Sequence, residues 1–401
     1  MNPEDFSKKK ALLIEDMAEA RIMQKKMLTD FGFRSIDIAM KAETAIELLK
    51  SNNYDIILSD YNLGKGKDGQ QLLEEVRYSH LIPNTATYLM VTAETSIEMV
   101  MGAIEYQPDG YITKPFSQAT LQRRLTKLID VKNKLKKVNI ALDAQDYSTA
   151  ILEANKVSSE APYLESKCGR IIGDCLLTLE KNEEALSVFD RHLKERKMPW
   201  ALFGKAKANY NLGRLDKAES SFRQLMLDNK FFVNSYDWLA KTLVKKGSLD
   251  EAQTVLVDAV MRSPKNILRQ IELGKLSMSV EDSMTAEMSF RRAVYLAKHS
   301  CFNEADIYLE HLRSIVAIAE SGEFTPRQRD NFNATLKKIH QQFFEDPDVK
   351  AHTYHSEIAL YNANGDEKTA KQLLEMWTNE AENGVAREPD AEFKKKFSNL
   401  F

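Results

Sequence analysis

Four short stretches of this chain end on side chains that could do chemistry together. Glu15 and Asp16 close the apolar run 11–14, Asp60 closes 56–59, Thr92 closes 87–91, and Lys114 follows 110–112. Three carboxylates gathered in one place repel one another, and a cation must offset that cost. A hard divalent ion such as Mg²⁺ suits the set, because it takes few protein carboxylates, keeps waters and accepts a phosphate oxygen. An ionised aspartate can itself attack phosphorus to form an aspartyl-phosphate, with metal and lysine offsetting the developing charge.

Such a constellation needs a scaffold that brings four strand ends together. The first 130 residues alternate short β-branched runs (11–14, 36–39, 56–59, 87–91 and 110–112) with stretches of helical period, the pattern of βαβ units. Five strands with five helices predict a doubly wound parallel sheet, whose binding crevice lies at the carboxyl ends of the strands, where these residues stand. The lysine-rich segment 132–137 reads as an outward continuation of the last helix.

Beyond it a repeat emerges. Gly173, Ala206, Ala240 and Gly274 recur at spacings of 33, 34 and 34; Ala185, Ala218, Ala252 and Ala286 follow each by twelve positions, then Phe189, Phe222, Leu256 and Phe290 by four more. Two small residues and one large one per unit suit a helical hairpin, since close helix crossing excludes bulk and the large residue fills the gap. Glycine turns precede the second helix at Gly213 and Gly247, and Pro264 ends a unit. These features resemble the tetratricopeptide repeat over residues 166–297, with weaker matches at Tyr147, Ala150 and Pro162 and again at Tyr361, Gly365, Ala370 and Leu374. The predicted organisation is a 1–130 sheet domain, a 131–165 helical connector with an atypical first repeat, a 166–298 array, and a 299–401 helical region with a weak final repeat. That array resemblance implies a groove for a protein or peptide partner. It also places Lys207, Lys241 and Lys275, 34 apart, as a row facing that groove and suited to acidic groups. Trp200, Phe203 and Tyr210 fit either groove or packing positions, with packing preferred.

Residues 8–130 resemble a response-regulator receiver domain. The carrying motifs are Ile14-Glu15-Asp16-Met17, Ile57-Leu58-Ser59-Asp60, Met90-Val91-Thr92-Ala93 and Tyr111-Ile112-Thr113-Lys114-Pro115-Phe116. The resemblance implies a flavodoxin-like fold and a phosphoryl group accepted by Asp60 from a histidine kinase or histidine phosphotransfer protein. It further implies Mg²⁺ held by Asp16, Asp60 and the Asn62 carbonyl, with Glu15 acting through water. Lys114 would pair with the phosphate, Thr92 would bond to it, and Tyr111 would change rotamer as the switch. Asn62 and Glu94 stand where the family tunes dephosphorylation, and polar groups there imply a phosphoryl group that is not long-lived. Glu15 replaces the commoner Asp, and loop 64–69 is lengthened and lacks a proline.

Composition agrees. Of 401 residues 43% are apolar, 29% charged, and only 15 are Gly and 10 Pro, which describes a folded, helix-rich chain. No run reaches the ~18–20 apolar residues of a membrane helix, and no apolar segment follows the charged start, so the expected location is cytoplasmic. Cys168, Cys175 and Cys301 are too few and scattered for a disulfide framework, and His192, His299 and His311 read as ordinary helix residues. A net charge of −3, with 16 basic and 19 acidic residues in 1–130, disfavours nucleic acid as partner. The expectation is therefore a two-component response regulator acting through a repeat region, with slow self-dephosphorylation as its one reaction, no separate catalytic domain, and homodimerisation left open. The alternatives are a docking scaffold whose receiver is used without phosphorylation and, behind it, a DNA-binding regulator.

Overall fold

The computed structural model describes residues 6–93 and 105–400. Its sheet contains β1 (Lys10–Ile14), β2 (Ser35–Ala39), β3 (Ile56–Asp60), β4 (Thr87–Thr92) and β5 (Gly110–Thr113). All neighbours are parallel, in the order β2-β1-β3-β4-β5. Helices α1 (Ala18–Asp30), α2 (Ala42–Ser51), α3 (Gly69–Tyr78) and α4 (Gln118–Lys134) follow β1, β2, β3 and β5. The segment expected to be helical after β4 lies largely outside the described residues.

The central strands β1, β3 and β4 are buried along almost their whole length and apolar through their middles because helices cover both faces of the sheet. Alternation then sorts the side chains. Leu12, Ile14 and Ile57 pack with α2 and α3, whereas Ala11, Leu13, Ile56 and Leu58 pack with α1 and α4. Helix α3 starts on a capping box in which the Asp68 carboxylate accepts from Gln71 N at 2.9 Å and Gln71 Oε1 accepts from Asp68 N at 3.0 Å.

The chain divides into two compact units, one of residues 1–248 with Met261–Pro264, the other of Leu249–Val260 with residues 265–401. Helix α4 does not run on through the lysine-rich segment as one rod. It ends at Lys134, and buried Leu135 turns the chain into α5 (Lys136–Asp143). Burial of that leucine among Val138, Ala150 and Cys168 favours the break. The first unit continues with α6 (Tyr147–Glu160), α7 (Glu165–Thr178), α8 (Asn182–Glu195), α9 (Pro199–Asn211), α10 (Leu215–Asp228) and α11 (Asn234–Lys246). Cys168 and Cys175 are buried thiols on α7.

Within this unit the small-to-large pattern has a direct steric reason. A Cβ on Gly173 would lie 2.3 Å from Phe189 Cε1, and one on Gly204 would lie 2.3 Å from Phe189 Cζ. Phe189 is thus plugged between α7 and α9 at positions where no side chain fits. Gly213 and Gly247, with φ of 72° and 84°, take the left-handed conformation that ends α9 and α11.

The second unit contains α12 (Leu249–Arg262, its last two residues in the first unit), α13 (Ile267–Ser279), α14 (Ser283–Ala297), α15 (Ala305–Glu320), α16 (Pro326–Gln342), α17 (Pro347–Ala363), α18 (Glu367–Glu382) and the short α19 (Ala391–Lys396). Gly274 repeats the device, since its Cβ would sit 2.7 Å from Phe290 Cε1. Residues 300–350, which carry no repeat signature, form α15 and α16 around buried Leu312, Ile315 and Phe332. His311 is buried there, 2.9 Å from Thr335 Oγ1 and 3.5 Å from Glu287 Oε1. Among the described residues no helix is long and apolar enough to cross a membrane.

Replacement of Gly173 by Ala forces Phe189 out of place. It should destabilise the helical part of the first unit by about 1–3 kcal/mol, the usual cost of overpacking. A lowered urea midpoint in far-UV circular dichroism checks this, and an unchanged midpoint contradicts the packing account.

Candidate functional site

The register of the sheet assembles the site. Ile14 pairs with Ser59 and Asp60 with Val91, so the residues that follow β1 and end β3 stand side by side. Thr92 pairs with Thr113 across β4 and β5, which brings Lys114 to the same edge. Strand order reverses its direction at β1 and β3, the switch point where such sheets leave a crevice.

Ligand oxygens of Glu15, Asp16 and Asp60 all lie within 4.8 Å of one another. Lys114 Nζ donates to Glu15 Oε2 and to Asp60 Oδ2, each at 2.8 Å. Glu15 is fully buried, Asp60 nearly so at 5% exposure, and Asp16 half-buried. Burial pushes the Glu15 carboxyl above its ordinary range; Lys114 opposes that shift and the Asp60 charge adds to it. Lys114 is held above its ordinary value by its bonds to Asp60 and Glu15, which outweigh its own desolvation.

Two supporting residues carried no motif signal. Gln24, buried on α1, donates to Glu15 Oε2 at 2.6 Å. Arg21 Nη1 donates to the carbonyls of Glu15 at 3.1 Å and Asp16 at 2.9 Å. Both stand on the helix that follows the acidic pair, where no local sequence signal singles them out. The lengthened loop also serves the site. Gly64, at φ 71°, comes so close to Asp16 that a Cβ would lie 3.0 Å from Oδ2, and a Cβ on Gly69 would collide with the Asp60 carbonyl at 2.2 Å. Glycine at both positions lets the loop wrap the acidic edge.

Thr92 is buried at the end of β4. Tyr111, half-buried on β5, packs beside the core formed with α2 and α3, and its carbonyl accepts from Arg124 at 2.9 Å. Asn62 is exposed just past Asp60, and Glu94 lies outside the described residues. The Lys114–Pro115 peptide is cis.

The donor set fits a hard divalent cation. It consists of carboxylate oxygens only, and Glu15 Oε1 is buried without a hydrogen-bond partner.

Residues 11–126 match the sequence family described as the response regulator receiver domain. Chemotaxis protein CheY-3 of Vibrio cholerae serotype O1 is 33% identical over 121 residues, which are 30% of this chain and 92% of that protein. The chain belongs to the receiver family. Chemotaxis protein CheY of Pseudomonas aeruginosa is 32% identical over 124 residues, 31% of this chain and 98% of that one. Receiver domains hold Mg²⁺ in an acidic pocket, and the pocket here is the Glu15, Asp16 and Asp60 cluster. Among solved structures, a C-terminal part of a TPR repeat-containing protein from Cytophaga hutchinsonii covers 61% of this chain and 93% of its own, at 14% identity and a TM-score of 0.47.

The residues expected to face a groove fall as follows. Lys207 Nζ lies 5.2 Å from the centroid of the Trp238 ring and Lys241 Nζ 5.7 Å from it, so these two share one aromatic surface in the first unit. Lys275 is exposed on α13 of the second unit. Trp200, Phe203 and Tyr210 all pack against neighbouring rings. Phe203 and Tyr210 meet Trp238 edge to face at 6.3 and 5.4 Å, Trp200 packs edge-on against His192 at 5.1 Å, and Trp200 and Phe203 also line a cleft.

Because the folded-state value of Glu15 lies above its ordinary 4.5, the native receiver keeps a proton there that the unfolded chain releases. In metal-free buffer its stability should therefore fall as pH rises from 4.5 through the folded value, then level off. Thermal melts across that window check this; Glu15→Gln should flatten the profile, and an unchanged profile contradicts the assignment.

Proposed function

We propose that this protein is a two-component response regulator in which Asp60 accepts a phosphoryl group in a Mg²⁺-dependent reaction and the helical array delivers the output by binding a protein partner. The observation that carries this is the pair of 2.8 Å bonds from Lys114 to Glu15 and Asp60 at the sheet switch point. One cation is shared between the nucleophile and its neighbour, and a buried acceptor on Glu15 still lacks a donor.

In the transfer, an Asp60 carboxylate oxygen forms a bond to phosphorus as the phosphorus–nitrogen bond of a phosphohistidine breaks. The electron pair leaves with the imidazole of a histidine kinase or phosphotransfer protein, which then takes up a proton. Glu15, Asp16, Asp60 and the Asn62 carbonyl would hold Mg²⁺, which supplies positive charge for the phosphoryl oxygens. Lys114 follows the charge from the free carboxylate to the phosphoryl oxygens. The Thr92 hydroxyl, at the end of the neighbouring strand, bonds to the same group. Its inward movement leaves room that the Tyr111 ring takes up, and the β4–β5 side of the receiver changes shape.

Asn62 and Glu94 stand two positions beyond Asp60 and Thr92 in the sequence, and polar side chains at such positions can orient water, so the acyl-phosphate would be hydrolysed slowly by the receiver itself. No other reaction is assigned to the chain.

Incubation of the full chain with acetyl phosphate and Mg²⁺ should add one phosphate by intact-mass measurement. Asp60→Asn, or removal of the metal by EDTA, should abolish the addition. Phosphate on Asp60→Asn, or none on wild type, removes this reading in favour of a docking scaffold. Substituting Lys114 by Met leaves two close carboxylates without their cation. It should lower receiver stability by about 2 kcal/mol or more in metal-free buffer, and Mg²⁺ should recover part of the loss in thermal melts.

A further inference from the structure

The first unit carries a cleft of about 650 Å³ whose lining includes Trp200, Phe203, Phe232 and Trp238. Arg170 and Lys207 bring cations to it, and Lys207 Nζ lies 5.8 Å from the Phe203 ring and 5.2 Å from Trp238. The receiver contributes to the lining as well. Glu105 and Gln107, which immediately precede β5, line the same cleft.

That short segment is held from both sides. Gln107 is in the left-handed region, at φ 51°. Its carbonyl accepts from Arg77 of α3 at 3.1 Å, and its side-chain oxygen accepts from Arg170 of α7, also at 3.1 Å. Glu105 Oε2 accepts from Ser263 Oγ at 3.0 Å, across 158 residues of sequence. Two residues on, Asp109 N donates to the Tyr88 carbonyl at 2.9 Å, and its carboxylate pairs with Lys132 at 2.8 Å. The segment is therefore anchored to β4 at one end and laid against the cleft at the other.

We propose that this cleft takes an acidic segment of a partner protein and that Glu105–Gln107 is its intramolecular gate, with Glu105 standing where a partner carboxylate would bind. The proposal rests on the function proposed above and names the surface and partner chemistry of its output. With the gate in place the lining carries, among the described residues, two cations, Arg170 and Lys207, against two carboxylates, Glu105 and Asp174. Withdrawal of Glu105 leaves the cations in excess, with Lys241 beside the same Trp238 ring. An incoming carboxylate restores the balance and a cationic segment worsens it. The aromatic rings supply apolar surface for side chains that alternate with the acidic ones. Tyr111 lies four residues after Gln107 on the strand that follows the gate, so a rearrangement of β5 moves the gate by a short path.

The test uses the full chain and a fluorescein-labelled hexapeptide alternating Glu and Phe, read by anisotropy, with a Lys-for-Glu twin as control. Without phosphodonor, the double variant Glu105→Gln, Ser263→Ala should bind the acidic peptide about fivefold tighter than wild type, the upper range for one exposed charge. Lys207→Glu should bind it at least about tenfold more weakly, and the basic peptide should show neither trend. Circular dichroism melts establish that each variant is folded. Beryllofluoride with Mg²⁺ should bring wild type to the affinity of the double variant. Equal affinities for wild type, the double variant and Lys207→Glu overturn the proposal. Variants that separate as stated while beryllofluoride leaves wild type unchanged support the cleft and its gate and overturn control by phosphorylation.

Discussion

Glu15, Asp60 and Lys114 form a charge triangle that the rest of the receiver exists to hold. Two carboxylates with almost no exposure to solvent share one ammonium group at 2.8 Å each. Removing water from such groups costs several kcal/mol per ion, and one lysine with Gln24 offsets only part of it. The Glu15 carboxyl is accordingly pushed upward, and its second oxygen has no donor. A structure that tolerates this cost holds in place an acidic pocket of the kind in which receiver domains hold Mg²⁺. The parallel sheet makes the cost bearable. Its register fixes the strand ends by backbone hydrogen bonds, so the two carboxylates cannot drift apart to relieve their repulsion.

The helical part of the chain solves a simpler problem by a different means. Hairpins stack closely only where one helix lacks side chains, and Gly173 and Gly204 leave room for the Phe189 ring as Gly274 does for Phe290. The apolar work is done by these plugs and by small buried alanines such as Ala185 and Ala218, which frees other positions to carry half-exposed rings and lysines. The surface around Trp238 is the result. Rings from α9 and α11 meet edge to face, and ammonium groups lie over their faces, where they keep solvent contact. Such a surface is apolar and cationic together.

Much of this was legible in the chain. The receiver strands were readable within a residue or so at each end because parallel strands covered on both faces must be continuously apolar, and their polar C-terminal neighbours stood out against that background. The acidic pair, Asp60, Thr92 and Lys114 were legible for the same reason. The repeat was legible from a 34-residue spacing of small and large residues, since steric exclusion leaves a trace in residue size. Gln24 and Arg21 were not, because polar residues on a helix are common and nothing local marks those that turn inward.

Sequence alone determined which groups would meet at the sheet edge and which helices would pair, because both follow from local periodicity and from the size of single residues. Only the tertiary structure decided that Lys114 bridges Glu15 and Asp60, that α4 stops at Leu135, and that Gln107 and Glu105 lie against Arg170 and Ser263. These are contacts between residues tens to more than a hundred positions apart. Their partners are selected by how packed elements are oriented in space, and that orientation leaves no periodic mark on the chain.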